Sequence, residues 1–229
     1  MNPKAASHEQ EVMIQTDGTA LPGFLVIPHD ARALVLFAHG SGSSRFSSRN
    51  RFVADVLHEA SIATLLFDLL TEAEHRVDEY TRELRFDIPL LARRLTGAID
   101  WSLAQPATRA MQIGLFGAST GAAAALLAAA ARPESVQAVV SRGGRPDLAG
   151  AALAQVRAPV LLIVGSRDQP VIGMNQEAAE QLQAEHRLSL VEGATHLFEE
   201  PGTLDEAARL AQVWFRQHLP GETGAAARD

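Results

Sequence analysis

Short apolar runs alternate with longer segments of helical pattern along most of the chain. Six runs are rich in Val, Ile, Leu and Phe: Ala33–Ala38, Ile62–Phe67, Gln112–Phe116, Val136–Val140, Val160–Val164 and Leu188–Val191. Their near-continuous hydrophobicity is typical of strands that are buried on both faces of a parallel sheet. We therefore predict a strand at each run.

Five further segments carry apolar residues at i, i+3, i+4 spacing, which predicts helices: Arg51–Glu59, Ile88–Leu103, Thr120–Ala131, Asn175–Glu185 and Leu204–His218. The alternation of strands and helices predicts right-handed crossovers that place helices on both faces of the sheet. Before them, Glu11–Thr16, the turn Asp17-Gly18 and Ala20–Ile27 predict an antiparallel hairpin at the sheet edge. The predicted fold class is α/β, with about eight strands in a mostly parallel sheet.

The chain has 229 residues and no internal repeat or linker that would divide it. This predicts a single domain over residues 1–229, with its core at about 11–218 and flexible tails at 1–10 and 221–229. The segment Thr71–Phe86 interrupts the pattern with a dense mixture of acidic and basic residues. Such a mixture is typical of a solvated helix or loop, and the alternative is a lid over an active site.

Charge and hydropathy exclude several classes of partner. The 20 basic and 27 acidic residues give a net charge of −7, which argues against binding to nucleic acid or anionic lipid. The N-terminal residues lack the apolar stretch of a signal peptide, and the longest apolar run, Ala122–Ala131, is half the length that crosses a bilayer. We expect a cytoplasmic protein with no nucleic-acid partner and no membrane partner.

The chain contains no cysteine. Disulfides, cysteine-ligated zinc, iron–sulfur clusters and thiol nucleophiles are therefore excluded. Any covalent catalyst must be a serine, threonine, lysine or carboxylate.

The sequence Gly117-Ala118-Ser119-Thr120-Gly121 lies between a predicted strand and the alanine-rich predicted helix. A G-x-S-x-G motif at such a turn holds its serine in a strained conformation that exposes the hydroxyl, and the glycines remove side chains that would collide. The helix N-terminus favours negative charge that develops there. We interpret Ser119 as a candidate nucleophile; the alternative is an ordinary N-cap.

A serine nucleophile needs a base, and His196 lies in the loop directly after the last predicted strand. His186 precedes that strand and His218 ends the last predicted helix, so we interpret both as surface residues. His39 precedes the serine in the chain, and we interpret it as a structural residue that orients the loop it begins.

The base in turn needs a carboxylate that fixes its tautomer. Asp168 follows the strand Val160–Val164 and lies between Ser119 and His196 in the chain. The alternative role for Asp168 is an N-cap, and the rival acid is Asp147, after the preceding strand. We favour Asp168 because its strand directly precedes the unit that carries the histidine.

Acyl transfer also needs N–H donors for an oxyanion. The amide of Thr120 follows the nucleophile, and we expect the second donor from the loop His39–Arg45, at Ser41 or next at Gly42. Arg45 stands where a dinucleotide-binding loop has its third glycine, and no P-loop motif occurs. We predict no cofactor and no metal site.

In these motifs the chain resembles the α/β-hydrolases and, among them, the dienelactone hydrolase family. The resemblance covers about residues 11–218 and rests on four elements: His39-Gly40-Ser41-Gly42, Gly117–Gly121, Gly165-Ser166-Arg167-Asp168 with Val171, and Gly193-Ala194-Thr195-His196. It implies an eight-stranded, mostly parallel sheet and hydrolysis through an acyl-enzyme that uses Ser119, Asp168 and His196. Dienelactone hydrolases proper use a cysteine nucleophile, which this chain lacks, so the resemblance implies a serine esterase of the wider family.

Arginines follow several predicted strands, at the sheet edge where α/β proteins bind ligands: Arg45, Arg142, Arg145 and Arg167. A guanidinium group can bind a carboxylate or phosphate. We predict substrate contacts at Gly42, Arg45, Arg142 and Arg145, with Arg142 or Arg145 selecting anionic esters.

The chain has no large apolar insertion that would cover a long acyl chain, so we predict a carboxylesterase for small, short-acyl or lactone esters. Its partner would be a small-molecule ester. The alternatives are acyl transfer to an alcohol, thiol or peroxide with the same three residues, and a non-catalytic binding role for the fold.

Overall fold

The computed structural model describes residues 8–219. Its strands are β1 (Glu9–Thr16), β2 (Thr19–Val26), β3 (Ala33–Ala38), β4 (Ala63–Phe67), β5 (Gln112–Ala118), β6 (Val136–Arg142), β7 (Val160–Gly165) and β8 (His186–Val191). They form one eight-stranded sheet in the order β1-β2-β4-β3-β5-β6-β7-β8. Among the described strands, β2 runs antiparallel to the other seven, which are parallel to one another. The predicted mostly parallel sheet is confirmed.

Helices cover both faces of this sheet. They are α1 (Ser48–Glu59), α2 (Glu72–Thr81), α3 (Ile88–Ala104), α4 (Thr120–Ala131), α5 (Gln169–Gln181) and α6 (Thr203–His218), with short 3-10 segments at Leu84–Phe86 and Pro146–Gln155. Helices α1 and α6 pack on one face, and α3, α4 and Pro146–Gln155 pack on the other. Within residues 8–219, no helix is both long enough and apolar enough to cross a membrane.

Each face of the sheet has its own hydrophobic core. Successive side chains of a strand point to opposite faces, so Leu115 packs toward α3 and α4 while Phe116 packs toward α1 and α6. Both side chains are fully buried. This double burial explains why the strands are visible in the sequence as continuous apolar runs.

Helix α4 accounts for the longest apolar run of the sequence. It is buried on nearly all sides, between the sheet, α3 and Pro146–Gln155. A helix that is apolar all round belongs in a protein interior. Its alanines keep it narrow enough to lie close to the central strands, where its first turn positions the candidate nucleophile.

Several predicted boundaries are wrong. Strand β1 begins at Glu9, inside the segment predicted to be a flexible tail, while 1–7 and 221–229 lie outside the described residues. Helix α5 begins at Gln169 and ends at Gln181, instead of the predicted Asn175 and Glu185. Pro170 is tolerated there because first-turn N–H groups need no helical partner, and Val171 and its neighbour pack against β7.

The charged segment Thr71–Phe86 forms α2 and a 3-10 turn, and it is less solvated than its composition predicts. Asp78 is only 1% exposed, and its carboxylate accepts a hydrogen bond from Nε of Arg85 at 2.6 Å. Burial opposes ionisation of Asp78, but hydrogen bonds from Arg85 outweigh it and hold the pKa of this carboxyl below its ordinary value. The segment is therefore held by an ion pair whose carboxylate is buried.

A glycine in α3 allows β1 to approach the helix. A Cβ at Gly97 would overlap the side chain of Thr16, whereas a Cβ at Gly173 of α5 would have no atom within 4 Å. We expect Gly97→Ala to destabilise the protein by about 1–3 kcal/mol because the strand must move. The control Gly173→Ala should stabilise it by about 0.5–1 kcal/mol. Urea unfolding measures both; equal effects would show that β1 does not pack here.

Candidate active site

The turn between β5 and α4 holds Ser119 in a strained conformation. Its φ of 51° and ψ of −122° lie in a region of backbone conformation that residues other than glycine rarely adopt. Glycines flank it because a Cβ at Gly117 would overlap the backbone of Ala122, and one at Gly121 would overlap the carbonyl of Ala38. Ser119 occupies the N-cap position of α4, but its hydroxyl makes no capping hydrogen bond.

The structure pairs His196 with Asp168. Nδ1 of His196 lies 2.7 Å from Oδ2 of Asp168, so this nitrogen carries the proton. Asp168 is at the N-cap position of α5, yet its side chain does not cap that helix. The rival Asp147 accepts two hydrogen bonds from Arg145 instead. The orientation of the imidazole is thus set by Asp168.

Ser119 and His196 line one cavity of about 230 Å³ at the carboxyl edge of the sheet. The Ser119 amide donates to the carbonyl of Arg142 at 3.2 Å, and the Ser119 carbonyl accepts from the amide of Arg145 at 3.1 Å. These hydrogen bonds fix the turn to the end of β6. The backbone of the nucleophile candidate is therefore held through both its amide and its carbonyl.

The loop after β3 lies against this turn. An ideal Cβ at Gly40 would be 3.1 Å from Cβ of Ser119, so a larger residue here would push the loop and the turn apart by a few tenths of an ångström. Ser41 lines the same cavity as Ser119, and within residues 8–219 its amide donates to no other backbone group. The amide of Thr120 begins α4, where helical N–H groups lack carbonyl partners. Within residues 8–219, neither the Ser41 amide nor the Thr120 amide donates to another backbone group.

His39 supports this loop from the interior. Its Nε2 accepts a hydrogen bond from the amide of Leu69 at 3.1 Å, so Nδ1 carries the proton and donates to the carbonyl of Gly40 at 3.0 Å. Burial lowers the pKa of His39 and outweighs the opposing effects of the Gly40 carbonyl and Asp68. The predicted structural role of His39 agrees with these contacts.

A larger cavity, of about 570 Å³, lies on the other side of the loop and shares Gly40, Ser41 and Ser43 with the smaller one. Its apolar wall comprises Met13, Ala20, Pro22, Leu70 and Leu91. Helix α2 and Arg85 supply charged lining residues. Gly42, with a φ of 70°, lies close to Arg85, since an ideal Cβ there would be 3.2 Å from Nη1.

The candidate arginines differ in what they contact. Arg45 forms an ion pair with Asp68 and its guanidinium stacks on Phe46, while Arg145 is paired with Asp147. Arg167 is exposed. Arg142 alone of the four is buried, at the end of β6, and it lines the cavity of Ser119.

Sequence reasoning missed the first turn of α1. Ser47, Arg49 and Asn50 line the smaller cavity, whereas the predicted helix begins only at Arg51. The available signal was the N-cap serine, since Ser47 accepts a hydrogen bond from the amide of Asn50.

The other two histidines interpreted as surface residues, His186 and His218, line neither cavity. His186 is the exposed first residue of β8. The prediction of a surface position for His218 is wrong, because its ring stacks on Trp214 at 4.3 Å and its side chain is 11% exposed.

The sheet order, with a strained serine after the central strand β5 and a histidine–aspartate pair whose histidine lines the same cavity, defines an α/β-hydrolase. Comparisons with known proteins identify the family within this class. The chain belongs to the dienelactone hydrolase family, whose sequence model matches residues 51–218.

Two solved structures illustrate this relationship. A dienelactone hydrolase from Anabaena variabilis is 59% identical, with a TM-score of 0.92 over 93% of this chain and 99% of that one. A cold-adapted esterase from an Arctic intertidal metagenomic library is 18% identical, with a TM-score of 0.75 over 95% of this chain and 97% of that one. The second comparison shows the fold alone.

A curated protein of Mycobacterium tuberculosis, provisionally named a phosphoribosyl transferase, is 54% identical over 218 residues. The match covers 94% of this chain and 48% of that protein. The chain therefore spans about half the length of this relative.

Buried neutral histidines make the stability of the protein depend on pH. Burial lowers the pKa of His39 and of His58 below the ordinary 6.5, so the unfolded chain binds protons that the folded chain does not. We expect the free energy of unfolding to fall as pH drops below about 6.5, by at most about 1.4 kcal/mol per pH unit for each histidine. Urea titrations between pH 7.5 and 5.5 measure this slope.

The variant His39→Gln retains an acceptor for the Leu69 amide and should reduce the slope. The control is His29→Gln, since the His29 side chain is 80% exposed; it should leave the slope unchanged. A slope that His39→Gln does not alter would refute the linkage to this histidine.

Proposed function

We propose that the protein is a serine hydrolase of the carboxylesterase type, which cleaves small, short-acyl or lactone esters through an acyl-enzyme. The observation that carries the proposal is the left-handed backbone of Ser119 in a cavity shared with His196, whose ring is oriented by Asp168. Strain of about 1–3 kcal/mol at one residue is typical of functional sites. A simple N-cap would need no such strain and would use its hydroxyl for the cap.

In the first half of the proposed reaction, Nε2 of His196 takes the proton of the Ser119 hydroxyl while Oγ attacks the ester carbonyl carbon. Asp168 keeps the proton on Nδ1 and stabilises the imidazolium that forms. The tetrahedral intermediate then collapses, the bond to the alcohol oxygen breaks, and His196 returns the proton to the departing alcohol.

In the second half, His196 takes a proton from water, which attacks the acyl-enzyme carbonyl. Collapse of the second intermediate releases the acid and returns the proton to Ser119. The amides of Ser41 and Thr120 would donate to the oxyanion in both halves, a contribution of about 2.7–4 kcal/mol for one such donor. Their freedom from other backbone partners supports this role.

The cavity supports a small substrate. Its volume of about 230 Å³ beside Ser119 is below the usual range for drug-sized ligands, about 300–1,000 Å³. A longer substrate would extend over Gly40–Ser43 into the larger cavity, past Gly42 and Arg45. Short-acyl and lactone esters fit this space without that extension.

The mycobacterial relative is named for a transferase activity, which differs from the hydrolase activity proposed for this chain. That protein is about twice as long as the match, so a transferase activity can reside in the part that this chain does not cover. The proposed function follows the residues of the matched part. Hydrolase activity is also the chemistry for which the family is named.

A fluorophosphonate probe tests the nucleophile directly. We expect intact-mass spectrometry to show one adduct on the native protein and none on Ser119→Ala, because the probe reacts with activated serine hydroxyls. The control is Ser43→Ala, which changes another serine of the same cavity and should still be labelled. Labelling that persists in Ser119→Ala would reject the nucleophile, and a native protein that stays unlabelled would favour the non-catalytic role.

The choice between the two acids has a separate test. Asp168→Asn should lower kcat for p-nitrophenyl acetate by about four orders of magnitude, since the amide favours the wrong histidine tautomer. Asp147→Asn breaks only the partly exposed pair with Arg145 and should change kcat less than tenfold. If the two variants lost activity equally, Asp168 would not be the orienting acid.

A further inference from the structure

The cavity of Ser119 contains a buried guanidinium group without a carboxylate partner. Arg142 is only 7% exposed. Its Nη2 donates one long hydrogen bond, to Oδ1 of Asn50 at 3.3 Å. Within residues 8–219, Nη1 has no hydrogen-bond partner, and no ion pair involves Arg142. Arg45 and Arg145, by contrast, each have an aspartate.

The surroundings of Arg142 add positive charge instead of neutralising it. Burial, and then the proximity of Arg49, lower the pKa of Arg142 to about 10, so it remains charged at neutral pH. Arg49 lines the same cavity, with Glu199 3.7 Å from its guanidinium. Among the described residues that line this cavity, there is no Asp or Glu.

Two helices also begin at this cavity. The first turn of α1 contributes Arg49 and Asn50 and contains no acidic residue, and α4 starts at Thr120, directly after Ser119. Helix N-termini carry partial positive charge and favour anions. The cavity therefore combines two guanidinium groups with two helix N-termini.

The position of Arg142 is fixed by packing. Its guanidinium lies 5.8 Å from the ring of Phe116 and 6.0 Å from the ring of Phe198. These contacts hold the group in place but do not provide an anion. Burying an unpaired cation is costly, so the arrangement is best explained by a ligand that supplies the missing charge.

We propose that Arg142, assisted by Arg49, binds an oxyanion group of the substrate, a carboxylate or a phosphate, and so selects anionic esters. The inference rests on the proposed function for the position of the ester, because Ser119 and Arg142 line the same small cavity. The anionic group thus lies within a few bonds of the scissile carbonyl. Arg142 is a specificity-determining residue, and Arg145, already paired, is not.

Kinetics with three matched esters test the selection. The p-nitrophenyl esters of butanoate, of succinate as its half-ester and of 3-phosphonopropanoate have similar length and differ in charge. We expect the native protein to prefer an anionic ester over the butanoate, with the better of the two identifying carboxylate or phosphate as the natural group. Arg142→Gln should reduce that preference in kcat/KM by about 10- to 100-fold, the value of a charged hydrogen bond.

Arg157→Gln is the matched control, because this surface arginine lies outside both cavities and pairs with Glu134. It should retain the native preference. Arg49→Gln changes a more exposed side chain, and it should reduce the preference less than Arg142→Gln. This variant keeps the inference testable if Arg142→Gln does not fold. An unchanged preference in both cavity variants would overturn it.

A binding measurement separates this inference from the proposed function. Inorganic phosphate and succinate are titrated by calorimetry into Ser119→Ala, and into the same variant with Arg142→Gln added. We expect at least one anion to bind the first protein and to bind the second at least 10-fold more weakly. This result, with no ester hydrolysed by the native protein, would reject the esterase and retain the anion site. Hydrolysis without preference, and without binding of either anion, would retain the esterase and reject the anion site.

Discussion

The close packing of α4 against the central strands is the constraint on which the candidate site depends. A left-handed φ at Ser119 is unfavourable by about 1–3 kcal/mol, and it persists because a buried helix fixes the chain on one side of the turn. Gly117 and Gly121 allow this contact, since a Cβ at either would overlap backbone atoms. The ends of the same turn bond to Arg142 and Arg145. The local strain is thus stabilised by packing that extends across the sheet.

The same geometry concentrates positive potential at one edge of the sheet. The carboxyl ends of parallel strands lead into helices whose N-termini return to that edge, as α1 does after β3 and α4 does after β5. In the proposed reaction this field favours the oxyanion at Ser41 and Thr120. It also favours an anionic group at Arg142, so one arrangement of dipoles would serve both the chemistry and the choice of substrate.

The strands could be predicted because each is buried on both faces, which leaves a continuous apolar run. Their alternation with helices gave the α/β sheet, and the hydrolase fold was implied by the resemblance that the motifs around His39, Ser119, Asp168 and His196 carry. Element boundaries and ion pairs were harder to predict where polar groups find their partners through the tertiary fold. Helix α5 starts at Gln169, before the predicted Asn175, in a turn that contains Pro170, and the partly buried pair Asp78–Arg85 was not visible within a run of mixed charges.

By itself, the sequence determined the α/β sheet, the strand–turn–helix at Ser119 and the chain order in which Asp168 and His196 follow it. These features depend on local pattern and on residues adjacent to their strands. Only the tertiary structure decided that Asp168 and not Asp147 bonds to His196, and that Arg142 alone of the candidate arginines is buried without an aspartate. Such pairing depends on which groups meet in space: among residues 8–219, the hydrogen-bond partner of the Arg142 side chain is Asn50, which lies 92 residues away in the chain.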